Sequence, residues 1–123
     1  MNPTPFEVKS EGLEGGIQAF TVRGELDMNT APELEQQLEA VLAGGDSAVI
    51  LDLSECEFID STGIALIVRT WQQIDRSGGE NGGGRLVLCC NNHQVKRLLK
   101  ITGVDSSISM HEHRDLALAE LRG

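Results

Sequence analysis

The chain has 123 residues, 40% of them hydrophobic, with 19 acidic against 10 basic residues for a net charge of −9. That length and apolar share suit one globular domain with an ordinary core and exclude a disordered chain. The acidic balance argues against nucleic acid and anionic membrane as partners, because both require a basic surface.

Residues 1–5 read as a loose tail without the apolar core of a signal peptide. Phe6 and Val8 alternate with Glu7 and Lys9, the pattern of a half-buried edge strand. Glu11–Gly16, with three glycines, reads as a hairpin loop, and Ile17–Arg23 as a second strand from which Gly24-Glu25-Leu26-Asp27 leads away. Thr30-Ala31-Pro32-Glu33 has the spacing of a capping box before Leu34, Leu38, Val41 and Leu42, which recur at helical period until Gly44-Gly45.

The continuous apolar run Ala48–Leu51, with Leu53, predicts a strand buried on both faces. A short turn then leads to Asp60-Ser61-Thr62-Gly63, after which Ile64, Ile67, Val68, Trp71 and Ile74 predict a helix closing near Ser77. Residues 77–84, glycine-rich, read as a flexible connector; they lack the Gly-Lys-Ser/Thr of a phosphate-binding loop. Leu86–Cys89 predicts another buried strand, and Val95, Leu98 and Leu99 a helix stopped at Gly103. Ile108 and Met110 alternate as in an edge strand, and Arg114–Leu121 predicts a short helix packing through Leu116, Ala117 and Leu121.

The order β-β-α-β-α-β-α-β-α implies an α/β fold over 1–123 as a single domain. It should have a mixed sheet of four or five strands, opened by a hairpin, with about four helices packed on it. No run is long enough to span a bilayer. Cys56, Cys89 and Cys90 are odd in number and show no Cys-x-x-Cys spacing. This argues against a zinc site or a thioredoxin-type motif and for free thiols in a reducing cytoplasm. His111 and His113 lack a third ligand and read as surface residues.

In parallel βα units the loops after the strands emerge on one sheet edge, where ligands and partners bind. Asp27, Asp60, Ser61 and His93 lie in three such loops. Taken singly, each has a plain structural role: Ser61 as a helix cap, Asp60 as a turn former, Asp27 and His93 as solvated loop residues. Gly63 stands apart. Glycine in the first turn of a helix costs about 1 kcal/mol relative to alanine, which implies close approach of another backbone or a ligand. Ser61 itself sits where free N–H groups and the helix dipole favour an anion, so a phosphate could be accepted there.

Gly24-Glu25-Leu26-Asp27, Phe58-Ile59-Asp60-Ser61-Thr62-Gly63-Ile64, Val95-Lys96-Arg97-Leu98 and Thr102-Gly103 resemble, in order, the single-domain STAS family of bacterial anti-sigma-factor antagonists. The resemblance runs from about Phe6 to Leu121. It implies a protein that is not an enzyme and needs no cofactor. Unphosphorylated, such a protein binds an anti-sigma factor that is also a serine kinase and so frees a sigma factor. The kinase, with ATP and magnesium, phosphorylates the serine after the aspartate, here Ser61, and a PP2C-type phosphatase reverses this. Thr62 offers a second hydroxyl. The resemblance ties Asp27 to kinase interaction, and Asp27, Asp60, Ser61, Thr62 and Gly63 form the expected partner surface. The chain departs from the pattern in its long glycine loop and in Ala65, where many relatives carry a second glycine. Two rival readings are a STAS accessory or scaffold subunit of a transporter or stress-sensing complex, and a small hydrolase using Ser61, His93 and Asp27. The hydrolase lacks Gly-x-Ser-x-Gly.

Overall fold

Val49–Leu53 are all buried, as a central strand covered on both faces requires. The structure, a computed structural model, describes residues 4–44, 48–77 and 85–122. A five-stranded sheet runs β1 (Glu7–Leu13), β2 (Ile17–Leu26), β3 (Ala48–Ile59), β4 (Arg85–Cys89) and β5 (Met110–His111) in spatial as in chain order. The hairpin β1–β2 is antiparallel, and the remaining pairs are parallel. Helices α1 (Ala31–Ala43), α2 (Ser61–Ser77) and α3 (His93–Ile101) follow β2, β3 and β4, with the one-turn α4 (Val104–Ser107) and α5 (Arg114–Arg122) after them.

Because the parallel strands lie in sequential order and crossovers are right-handed, α1, α2 and α3 must fall on one face. There Phe20, Val22, Val49, Leu51, Leu53, Leu86 and Leu88 of the sheet meet Leu34, Leu38, Ile67, Ile74, Val95 and Leu99 of the helices. The opposite face is smaller. Ile17, Ala19, Ile50, Val87 and Cys89 meet Ala117, with Leu118 and Leu121 beside it.

The predicted elements are present, with several corrections. The hairpin turn is only Glu14–Gly16, and β2 continues through Gly24-Glu25-Leu26 instead of ending at Arg23. No turn follows Leu53; β3 runs on to Ile59. Against β2, Thr21 and Arg23 pair with Asp52 and Glu55, and Gly24 and Glu25 with Cys56 and Phe58, so β3 carries an extra residue at each step. These two bulges disguise the strand, since they break the period-2 pattern that sequence reading relies on. Leu116 is 51% exposed instead of packed; α5 presents Ala117, Leu118 and Leu121 to the sheet. The helix α4 was not expected. Of the tail expected over 1–5, Thr4 and Pro5 are described; their carbonyls lie close to Gly24, whose φ of +94° and lack of Cβ let the chains approach there. Residues 78–84 of the expected connector lie outside the described residues. Among the described residues no helix is long and apolar enough to cross a membrane.

Candidate functional site at the C-terminal edge of the sheet

Asp60 closes β3 and opens α2. Its Oδ1 accepts the N–H of Gly63 at 3.0 Å, and its carbonyl accepts the N–H of Ile64 at 3.0 Å, which caps the helix. Its Oδ2 accepts the N–H of Met28 at 3.3 Å, and its own N–H reaches the Leu26 carbonyl at 3.2 Å. One residue thus joins the β2–α1 loop to the start of α2. The turn role suggested by the sequence is a cap and a bridge together.

Ser61 is therefore the first helical residue and not the cap. It is exposed, whereas Thr62 is half-buried. Among the described residues the N–H groups of Ser61 and Thr62 have no acceptor, so the positive end of α2 is open beside the Ser61 hydroxyl. Gly63 is buried, and a Cβ there would lie 2.9 Å from the Leu26 carbonyl oxygen and 2.8 Å from Ile59 Cγ1. The close approach inferred from the sequence is that of the β2 backbone.

Asp27 is half-buried and organises its own loop. Its Oδ1 accepts the N–H groups of Asn29 at 2.9 Å and Thr30 at 3.1 Å, and its carbonyl accepts that of Ala31 at 2.8 Å. The expected capping box is not formed. Thr30 Oγ1 makes no cap bond; it accepts from the Asp27 N–H at 2.9 Å and donates to the Glu25 carbonyl at 2.7 Å. With its hydroxyl so engaged, Thr30 leaves the helix start to Asp27.

His93 is exposed and opens α3. The cap is Asn92, whose Oδ1 accepts from Gln94 at 2.9 Å and Val95 at 3.3 Å while its Nδ2 donates to the Cys56 carbonyl at 3.1 Å. That last bond ties α3 to β3. No hydrogen bond among the described residues links Ser61, His93 and Asp27, so the hydrolase triad is not assembled. His111 is not a plain surface residue: its Nε2 lies 2.7 Å from Glu120 Oε1 on α5. Among the described residues no cluster of His, Cys, Asp and Glu could hold a metal ion. All three cysteines are free and buried. Burial pushes the Cys56 and Cys89 thiols up to about 11 and raises Cys90 as well.

Sequence reading missed the apolar side chains around this edge. Met28 is 69% exposed, Phe58 45% and Ile101 68%. The only signal for Phe58 was its neighbour spacing. Cys56 and Ile59 are apolar residues three positions apart, and a regular strand cannot bury both on one face, as the structure does through a bulge.

The STAS domain family model matches residues 13–117 of the chain. The chain belongs to the STAS domain family. Among curated relatives of this STAS protein, the anti-sigma F factor antagonist of Paenibacillus polymyxa is 29% identical over 107 residues, covering 86% of this chain and 87% of the relative. The anti-sigma-B factor antagonist of Staphylococcus aureus is 31% identical over 91 residues, covering 74% and 80%. A crystal structure of an anti-sigma factor antagonist from Mycobacterium paratuberculosis superposes on the STAS protein with a TM-score of 0.86, at 29% identity, covering 97% of this chain and 96% of that one.

Proposed function

We propose that this STAS protein is an anti-sigma-factor antagonist, a binding protein and not an enzyme, acting in the cytoplasm. Its unphosphorylated form engages an anti-sigma factor with serine kinase activity through Asp27, Asp60, Ser61, Thr62 and Gly63. Phosphorylation of Ser61 ends the engagement, and a PP2C-type phosphatase restores it. ATP and magnesium belong to the partner. The names of the relatives support the antagonist role.

The observation that carries the switch is that Ser61 is exposed and structurally idle. Asp60 already caps α2, so the Ser61 hydroxyl is free to be modified. It is also the more accessible of the two adjacent hydroxyls. A phosphate there would bring about −1.5 to −2 charges at neutral pH. The open N–H groups and helix dipole favour such an anion, so the fold is spared. A partner surface fitted to a neutral hydroxyl is not. One like-charge contact at 4 Å near a protein surface is worth about 4 kcal/mol before screening, and about 1.4 kcal/mol is tenfold in affinity.

The test is incubation with candidate anti-sigma factors and ATP, followed by mass mapping. Phosphate is expected on Ser61, and the Ser61→Ala variant should bind the partner and take up none. The Ser61→Asp variant should melt close to wild type and bind at least about tenfold more weakly. Label on the alanine variant, or unfolding of the aspartate variant, would refute the switch.

A further inference from the structure

The nine residues of α3 include Lys96, Arg97 and Lys100 and no carboxylate. A segment of charge +3 therefore stands out of a chain of net charge −9. Lys96 is bonded to Glu112. Arg97 and Lys100 are exposed and form no ion pair among the described residues. Beside them lies a groove of about 380 Å³ between the end of β3 and α3, walled by Phe58, Val95, Leu98 and Ile101, with Glu57, Gln94 and Arg97 completing the lining. Phe58 and Ile101 are large apolar side chains left in water at its rim. An apolar groove with Arg97 in its lining and Lys100 beside Ile101 on α3, set against the single carboxylate of Glu57, matches a surface that is apolar at its centre and mainly acidic at its rim.

The groove's place decides what occupies it. Phe58 precedes Ser61 by three residues, so the two Cα atoms are at most about 10 Å apart. A protein that reaches the Ser61 hydroxyl covers this neighbour as well. Glu25 is in register with Phe58 on the neighbouring strand, and Asp27 and Asp60 lie in the loops that follow β2 and β3. The edge thus carries its carboxylates on β2, β3 and the loops after them and its cations on α3, an asymmetry that favours one orientation of a partner.

The geometry points to α3 and the Phe58–Ile101 groove as a second docking element for the partner that addresses Ser61, receiving an apolar side chain flanked by carboxylates. This rests on the antagonist reading above. It adds an anchor separate from the switch residue and fixes the chemistry of the partner's facing surface.

Each anti-sigma factor encoded in the source genome is purified and titrated calorimetrically against the full chain. For a factor that binds, Ile101→Asp and the double change Arg97→Glu, Lys100→Glu should each weaken binding by about tenfold or more. The double change should also flatten the salt dependence of affinity. Arg122→Glu, on exposed α5 residue Arg122, should bind as wild type. Ile101→Ser and Lys100→Gln, milder changes at exposed positions, are run alongside with thermal melts, so that a misfolded reversal does not decide the outcome. A carbodiimide, which joins lysine to carboxylate without a spacer, should link Lys100 to an acidic residue of the partner. Binding within about twofold of wild type for all α3 variants, or no cross-link to α3, overturns the assignment. Phosphorylation of Ser61 by the same factor would leave the antagonist reading standing in that case, whereas failure of every factor to bind the wild-type chain removes both.

Discussion

Asp60 and Gly63 hold Ser61 where it is, one by bonding and the other by being small. Asp60→Ala removes the α2 cap and the bond to Met28 together, and should cost about 1–2 kcal/mol in urea denaturation. Asp60→Asn should recover most of that, since asparagine caps nearly as well. At Gly63 the obstacle is backbone. The Leu26 carbonyl cannot rotate away from an added Cβ as a flexible side chain could, so Gly63→Ala should cost about 1–3 kcal/mol. Ser61→Ala, at an exposed position without a cap bond, should stay within about 0.5 kcal/mol of wild type. This contrast locates structural need in the residues flanking Ser61 and leaves the serine free for chemistry.

Among the described residues, the helix with the most ion pairs is α5. Arg114 donates to Asp52 at 3.2 Å, Thr21 at 2.8 Å and Glu11 at 2.6 Å, tying the start of α5 to three strands. Asp52 is only 9% exposed. Arg114→Ala strands that carboxylate, and because Arg114 remains partly in water the cost should be about 2 kcal/mol, below that of a fully buried pair. Adding Asp52→Asn should restore part of it in a double-mutant cycle. At the other end of α5, Glu120 meets Arg85 at 2.5 Å as well as His111. Burial by itself would raise the Glu120 carboxyl, but hydrogen bonds from His111 and Ser109 and the charge of Arg85 together hold it below its usual value of 4.5. A lowered carboxyl stabilises the fold above its unfolded value, and that contribution disappears as pH falls through the folded one. Hydrogen-exchange protection of α5 amides should therefore drop as pH falls below 4.5 before that of β3 does; simultaneous loss would show that Glu120 has no particular hold on the helix.

At the scale of the whole molecule, the sheet has one deep face under α1–α4 and one shallow face under α5. The three thiols are buried within it, Cys56 and Cys90 on the deep side and Cys89 on the shallow one. With the Cys56 and Cys89 thiols pushed up to about 11, the folded state favours the neutral form. Their contribution is complete below the unfolded thiol value and fades as pH rises towards 11. Stability should fall by up to about 1.4 kcal/mol per pH unit per thiol from about pH 9 upward. Iodoacetamide at pH 8 should leave the folded chain unmodified and label all three cysteines in urea. Labelling of Cys89 in the folded protein would mean that the shallow face opens readily, and labelling of Cys56 or Cys90 that the deep one does.

How much of this was legible beforehand follows from the range of the forces involved. Ala48–Leu51, with Leu53, declared a central strand, and Ile64, Ile67, Trp71 and Ile74 a helix, because burial acts through spacing along the chain itself. Asp27, Asp60 and Ser61 could be assigned to loops on one edge from the parallel βα order alone, and the tight spot at Gly63 from its own propensity. What remained hidden depends on residues distant in sequence. The Thr30–Glu33 box fails because Thr30 bonds to Glu25 and Asp27 instead. Phe58 faces water because two bulges against β2 turn the end of β3. His111 has a partner nine residues on, and Asp52 is paired across the sheet to α5. The sequence by itself determined the five strands, though not where β2 and β3 end, every helix but α4, and the edge on which the polar residues gather. Only the tertiary structure decided which oxygen caps which helix, which apolar side chains stay in water and which charges are paired. Those outcomes depend on distances between segments, which periodicity along one chain does not encode.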